Sequence, residues 1–492
     1  GQPVDPHGGR RRLRGLSADP SPTHGPTGSR PRPGSGGGGH RPGGGPASRR
    51  GDARVGGGGA RVGAVPRRGP GRARSGIGSG VSGACGRHPG GDRRARRRRP
   101  RGPRPAPTTP HPLALEISHA KGSYIYDTNG KSYLDFVAGV SACTLGHSHP
   151  EVVAAITEQA HKYLHVMVYG EYAQDPAVQL TRLLAQALPD PLEQTYLVNS
   201  GTEAIDGALK LARRATGRSQ IIAAKNAYHG NTYGALSLMS FEERVKPFRP
   251  VIGDVDFIEF NDISALSEIT ERTAAVILET IQGGAGFILP ENDYLKKVKQ
   301  RCKEVGALLI LDEIQPGFGR TGKLFGFMNY DIIPDILVMG KGVGGGMPIG
   351  AFTASKNIMS LLSDNPKLGH ITTFGGHPVI ASAALATFNE LMNTNLIEQT
   401  LVKEQLVRKL LKHDLILEIR GKGLMLAAMT PSDDITTKAI LACQEAGLIL
   451  FWLLFEGKAI RITPPLTISE KELEEGCKKL IMVLDRIAAG EQ

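Results

Sequence analysis

Six short runs decide what this chain can fold into: QTYLVN (194–199), SQIIAAK (219–225), AAVILET (274–280), ALLILDE (307–313), DILVMG (335–340) and GAFTAS (350–355). They are largely apolar, and segments with helical spacing separate them. A strand without polar alternation needs both faces of its sheet covered. The alternation with helices therefore predicts an α/β fold on a mostly parallel sheet. In such sheets ligands lie beyond the carboxyl ends of the strands.

Other segments complete the outline. GSYIYDTNGKSYLDF (122–136) reads as a hairpin turning at Asp127–Gly130. HPEVVAAITEQAHKYL (149–164) has the apolar spacing of a helix. After Pro378 a long helix (379–394) and another around 397–412 precede short strands in IRGKGLMLAAM (419–429) and KAIRITPPL (458–466). That succession predicts a separate, smaller α+β module.

Residues 1–105 are of another kind. They hold 24 arginines, no lysine, four aspartates and no glutamate, a charge of +20 within an overall +13. The remaining chain is thus mildly acidic, at −7. A Gly/Pro/Arg segment such as RRARRRRPRGPRP (93–105) has too little apolar surface to offset chain entropy, so a disordered arm is expected. It has three readings: a polyanion-binding arm, a transit peptide, or sequence outside the native protein. The first lacks interleaved aromatics, since no Phe, Tyr or Trp precedes Tyr124, and nucleic acid is not an expected partner. The second lacks an amphipathic stretch. The third is favoured by the start at Gly1, a first methionine at Met167, and the complete replacement of Lys by Arg in this segment alone.

Cys85, Cys143, Cys302, Cys443 and Cys477 are dispersed, with no CxxC. No disulfide framework or metal site is expected, and a reducing cytoplasm suits the set. The longest apolar run, LILFWLLF (448–455), is too short to span a bilayer, so no membrane partner is expected.

The chemistry-bearing residues cluster at predicted strand ends. Lys341 sits among glycines in MGKGVGGG (339–346), and Asp312 ends the run ALLILDE. A lysine and an acid so placed can serve pyridoxal phosphate. The amine joins the cofactor aldehyde, and the acid holds the ring nitrogen protonated. A structural salt bridge between Asp312 and an arginine such as Arg320 is the alternative. In VNSGTEAIDGALKLARR (198–214), Ser200, Gly201 and Thr202 form a turn into a helix, either a phosphate site or an ordinary N-cap. Tyr228 precedes a His229–Gly230 turn and could stack on a flat ring or fill the core. Glu279 and Gln282 lie just past one strand, and Gln315 follows Asp312. Thr372 and Thr373 lie in the loop HITTFGGHP (370–378). Arg461 stands before a rigid Pro-Pro turn, suited to a carboxylate or to a surface ion pair.

Taken in order, GHSHP (146–150), NSGTEA (199–204), YHG (228–230), LDEIQPGFGRTG (311–322), GKG (340–342), TTFGG (372–376) and RITPPL (461–466) resemble the class-III (subgroup II) pyridoxal-phosphate-dependent aminotransferases, of the acetylornithine, ornithine and 4-aminobutyrate type. The resemblance spans about residues 113–488. It implies PLP fold type I, with a seven-stranded sheet in the large domain and a small domain built from both ends of the chain. The expected boundaries are 1–105 for the arm, 106–165 and 386–492 for the small domain, and 166–385 for the large one.

The resemblance also implies roles. Lys341 would anchor the cofactor and move the substrate proton. Asp312 would pair with the ring nitrogen, Gln315 with the ring hydroxyl, and Tyr228 would stack. Ser200, Gly201 and Thr202 would hold the phosphate, completed by Thr373 from a second subunit in a homodimer with shared sites. His229 and Glu279 would belong to the cofactor site, and Arg461 would bind the substrate carboxylate. The implied reaction is ping-pong amino transfer, via pyridoxamine phosphate, from an amino acid or ω-amino compound to a 2-oxo acid. The expected acceptor is 2-oxoglutarate or pyruvate, and an acetylornithine-type donor is the best match. An aminomutase, racemase or decarboxylase on the same scaffold is the alternative. Three positions depart from the family pattern. Asn231 stands where arginine is usual, Gly284 where a glutamate usually masks the substrate arginine, and Cys143 where asparagine is frequent.

Overall fold

The structure, a computed structural model, describes Thr108 and residues 113–490. The expectation for residues 1–105 lies outside the described residues.

The hairpin is β1 (Ile117–Lys121), β2 (Tyr124–Asp127) and β3 (Ser132–Asp135), one strand longer than its sequence pattern predicts. Next come β4 (Gln194–Val198), β5 (Gln220–Ala224), β6 (Val255–Ile258), β7 (Thr273–Glu279), β8 (Leu308–Asp312), β9 (Ile336–Gly340) and β10 (Gly350–Ala354). These seven form one sheet in the order β4-β10-β9-β8-β7-β5-β6. Strands β5 to β9 pair in parallel, and β10 runs antiparallel to both neighbours. The chain ends with β11 (Glu418–Lys422), β12 (Met425–Met429), β13 (Leu448–Ile449), β14 (Phe451–Trp452) and β15 (Ala459–Ile462). Of these, β13 pairs in parallel with β3, which joins the two ends of the chain in one sheet.

The uninterrupted apolar runs have a direct cause. Alternate residues of each central strand enter different cores. Ile277, Ile310 and Val338 join one cluster, with Leu211 and Ala208 of the helix Gly201–Thr216. Val276, Leu278, Leu309, Leu311 and Met339 join the other. β6 is not among the six apolar runs. It is an edge strand, paired only with β5, and only Ile258 of its four residues is buried, so it carries no continuous apolar signal. Among the described residues, no helix is long and apolar enough to cross a membrane.

The sheet register sets the position of the site. Glu279 pairs with Asp312, so the last residues of β7 and β8 lie side by side. Gly350 pairs with both Gly340 and Val198, which brings the ends of β9 and β4 to the same edge. That close approach needs a glycine: a Cβ at Gly350 would lie 2.0 Å from the Ser200 carbonyl oxygen. Backbone cannot yield there as a side-chain tip can. Gly350→Ala is expected to destabilise the fold by about 2 kcal/mol or more. Denaturant titration would show a lowered midpoint, and an unchanged midpoint would refute the packing argument.

Candidate active site

A cavity of about 680 Å³ lies at this carboxyl edge. Lys341, Asp312, Glu279, Gln315, Tyr228, His229, Gly201, Thr202 and Arg461 all line it. Two expected residues do not. Ser200 is the N-cap of the helix Gly201–Thr216, its Oγ accepting from the Glu203 amide at 3.3 Å. Thr373 lies exposed in the loop before the helix Pro378–Asn393, outside the cavity of its own chain.

Asp312 is the best-held group. Its Oδ1 accepts from the Ile314 amide at 2.9 Å, and its Oδ2 from Nδ1–H of His229 at 2.8 Å. Both side chains are almost fully buried. Burial alone would depress the His229 pKa, but its hydrogen bond to Asp312, that carboxylate's charge, and Glu279 raise it on balance. Arg320, the alternative partner, lies elsewhere and donates to the carbonyls of Leu424 and Pro464. Glu279 is the last residue of β7 rather than just past it. It accepts from the amides of Tyr228 at 3.1 Å and Gly283 at 3.0 Å, and burial raises its pKa to about 7.

Lys341 follows β9 directly, with φ +43°, a left-handed conformation unusual for a lysine. Burial, the largest influence, lowers the pKa of its amine. Asp312 and Glu279 oppose that shift and Arg461 adds to it. Arg461, on β15, is itself buried, and burial lowers its pKa to about 10. Its guanidinium lies 5.5 Å from the ring centre of Phe287.

Several residues of the cavity wall escape sequence reasoning. Val140 lines it from a left-handed turn, with φ of 50°, 59°, 60° and 65° at Ala138, Gly139, Val140 and Ser141. A β-branched residue in that region is an outlier that sequence patterns do not forecast. The Asp135 carboxylate supports the turn by accepting from the amides of Val137 at 2.8 Å and Ala138 at 3.0 Å. Phe451, Trp452, Leu453 and Leu454 supply an apolar wall from β14 and beyond. Their only signal was the apolar run itself. The hydroxyls of Thr202 and Thr232 are hydrogen-bonded to each other at 2.7 Å.

Two of the three departures from the family pattern, Asn231 and Gly284, have local explanations. Asn231 donates from Nδ2 to the Tyr228 hydroxyl at 3.2 Å, which steadies the tyrosine. At Gly284 a Cβ would lie 2.8 Å from Cδ2 of Phe455, so the Phe455 ring fills the space a larger residue would need.

The residues present fit pyridoxal phosphate. Gln315 Nε2 and the Arg461 atoms Nε and Nη1 are buried in the cavity without partners, as donors awaiting a polar ligand are. The amides of Gly201 and Thr202 open the helix Gly201–Thr216, ahead of the capped Glu203 amide, and suit a phosphate. The tyrosine ring and the acid suit a flat, protonated heterocycle.

Comparison with known proteins agrees. The family model for class-III aminotransferases matches residues 106–484. The acetylornithine aminotransferase of Methanopyrus kandleri is 36% identical over 363 residues, covering 73% of this chain and 92% of that protein. The putrescine aminotransferase of Pectobacterium atrosepticum is 38% identical over 393 residues, covering 76% and 83%. The ornithine aminotransferase of Toxoplasma gondii, solved with partial PLP occupancy at its active site, superposes with TM-score 0.72 at 30% identity, covering 76% of this chain and 91% of that one. With a strand-edge lysine and acid in one cavity and a match over nearly all the described residues, this chain belongs to the class-III aminotransferases.

Proposed function

We propose that this protein transfers an amino group from an amino acid or ω-amino compound to a 2-oxo acid in a ping-pong cycle. The observation that carries the proposal is the convergence of Lys341 and Asp312, from neighbouring strands β9 and β8, on one cavity with the unpartnered donors of Gln315 and Arg461.

Pyridoxal phosphate, when bound, supplies an aldehyde that joins amines and a ring that draws electrons from the neighbouring carbon. The chain supplies the rest. Lys341, whose amine burial shifts toward the neutral form, takes the proton from the substrate carbon and returns it. Asp312, fixed by Ile314 and His229, keeps negative charge where the ring nitrogen must stay protonated. Arg461 receives the substrate carboxylate, and Tyr228 covers one ring face. The apolar residues Phe451, Trp452 and Leu453 exclude water from the reacting carbon.

The acetylornithine-type relatives support an acetylornithine-like donor, with 2-oxoglutarate or pyruvate as acceptor. The exposed Thr373, outside its own cavity, supports a homodimer in which each subunit completes the other's phosphate site. The pairing of β13 with β3 supports a small domain of residues 106–165 and 386–492 beside a large one of 166–385. The dispersed thiols, four of them free in the described residues, support a cytoplasmic location.

A single-turnover experiment tests the reaction. Enzyme loaded with cofactor, given an amino donor and no acceptor, should release one equivalent of deaminated carbonyl product per site, a 2-oxo acid from an α-amino donor or an aldehyde from an ω-amino donor, and stop. Adding 2-oxoglutarate or pyruvate should restart it. Continuous turnover without any acceptor would instead identify a decarboxylase, racemase or aminomutase.

A further inference from the structure

Cys143 stands where the family frequently carries asparagine, half-buried at the end of the left-handed turn that brings Val140 to the cavity. Its amide closes that turn by donating to the Ala138 carbonyl at 2.9 Å. Its sulfur lies between two parts of the site. A Cβ on Gly139, beside Val140, would lie 3.5 Å from Sγ, and a Cβ on Gly346, in the glycine loop after Lys341, would lie 3.7 Å from it. The thiol thus packs against both the turn of Val140 and the loop that follows the lysine.

The surroundings of the sulfur are cationic. His147 hydrogen-bonds to it and, through Nε2–H, donates to Asp135 Oδ2 at 2.8 Å. The bond to Asp135, and after it the bond to Cys143, push the His147 pKa up to about 10 against the effect of burial. The imidazolium therefore persists at neutral pH, held between a carboxylate and the sulfur. Arg320 is the second cation. Burial lowers its pKa to about 9, and negative charge at Cys143 opposes the fall. Its Nη1 donates to the Pro464 carbonyl, and two residues on the Leu466 amide donates to the carbonyl of Thr144, next to Cys143, at 2.8 Å. Nη2 of the buried Arg320 has no partner, and neither has the buried Oγ of Ser141, two residues before Cys143. The other described cysteines differ. Cys302, Cys443 and Cys477 lie in the core, where burial pushes each thiol up to about 12.

We propose that Cys143 is an oxidation site, at which a hydroperoxide converts the thiol to a sulfenic acid and lowers the activity of the adjoining cavity. The thiolate attacks one peroxide oxygen, so that an S–O bond forms and the O–O bond breaks. Sulfur is oxidised by two electrons and the peroxide is reduced. The leaving oxygen takes a proton from solvent and departs as water or an alcohol. His147 and Arg320 stabilise the negative charge on the attacking sulfur. The added oxygen brings bulk and polarity between the Val140 turn and the loop after Lys341, and the unused donors of Arg320 and Ser141 are near it. The three core thiols, buried and protonated, offer no resolving partner. Two equivalents of an external thiol restore Cys143, leaving as a disulfide with one water.

Exposure of the cofactor-loaded protein to hydrogen peroxide with dimedone, which tags sulfenic acids, tests the assignment, with each cysteine peptide read by mass spectrometry. Cys143 should be tagged at least about tenfold faster than Cys302, Cys443 and Cys477. His147→Asn removes the neighbouring cation and should slow tagging of Cys143 about three- to tenfold. In parallel samples without dimedone, activity should fall in step with oxidation and return with dithiothreitol. Cys143→Asn and Cys143→Ala should match the activity of untreated wild type and keep it in peroxide. Tagging of Cys143 no faster than that of the core cysteines, or peroxide inactivation of both Cys143 variants at the wild-type rate, would overturn the proposal. The comparison among cysteines within the wild-type protein decides even if His147→Asn fails to fold. Tagging does not depend on turnover, so failure of the single-turnover release described above would sink the aminotransferase reading alone.

Discussion

Replacing Lys341 by alanine is expected to lower turnover by at least about 10³-fold, because one amine serves as both cofactor anchor and proton carrier. The cofactor should also become separable by gel filtration once its covalent attachment is lost. Turnover within tenfold of wild type would remove Lys341 from the chemistry. The same lysine has a signature in stability. Burial lowers its pKa below the ordinary value near 10.5. Between the folded value and 10.5, the unfolded chain therefore binds more protons than the folded one. Stability of the cofactor-free protein should rise with pH through that window, as the cost of burying a cation is relieved. Below the window that cost is fully present. Lys341→Met should remove this slope and be the more stable protein at neutral pH. Unfolding midpoints measured against pH would check it, and an identical slope in both proteins would contradict the depressed pKa.

How far the site could be read in advance depended on where each residue sits in the sheet. Lys341, Asp312 and Glu279 close apolar strands, so a one-dimensional pattern already marks them as neighbours at one edge. The structure sets the register of β7 and β8 so that Glu279 pairs with Asp312. Val140 and Arg244 had no such marker. Val140 reaches the cavity through a left-handed turn held by Asp135, and Arg244 through a ring contact with a residue more than 200 positions away. Contacts of that kind depend on packing, which short patterns do not encode. His229 is intermediate. Its adjacency to Tyr228 was visible, but its use as the partner of Asp312 required β5 and β8 to be placed two strands apart with β7 between them. The departure at Gly284 was legible as a loss, whereas its consequence, the entry of Phe455, appears only in three dimensions.

Asp312→Asn should lower kcat by about 10²–10³-fold while leaving the fold intact. The asparagine oxygen can still accept from the Ile314 amide, now 2.9 Å from Oδ1, so the turn after β8 keeps its main constraint. What is lost is charge. Burial lowers the His229 pKa, and the hydrogen bond and charge of Asp312 together with Glu279 raise it on balance, so in the variant His229 should titrate lower. Lys341 should shift downward too, since Asp312 is the main influence holding its amine up against burial. The acid limb of the pH profile that reports a neutral lysine should therefore move to lower pH in the variant. Two effects then separate. If the loss of rate reflected only a misprotonated lysine, lowering its pKa would help rather than harm. A large fall in kcat together with an acid limb displaced to lower pH would thus locate the defect in the charge facing the ring nitrogen. Asp312→Asn turning over within fivefold of wild type would exclude that role. A limb left in place would mean that the Asp312 charge does not reach Lys341 between β8 and β9.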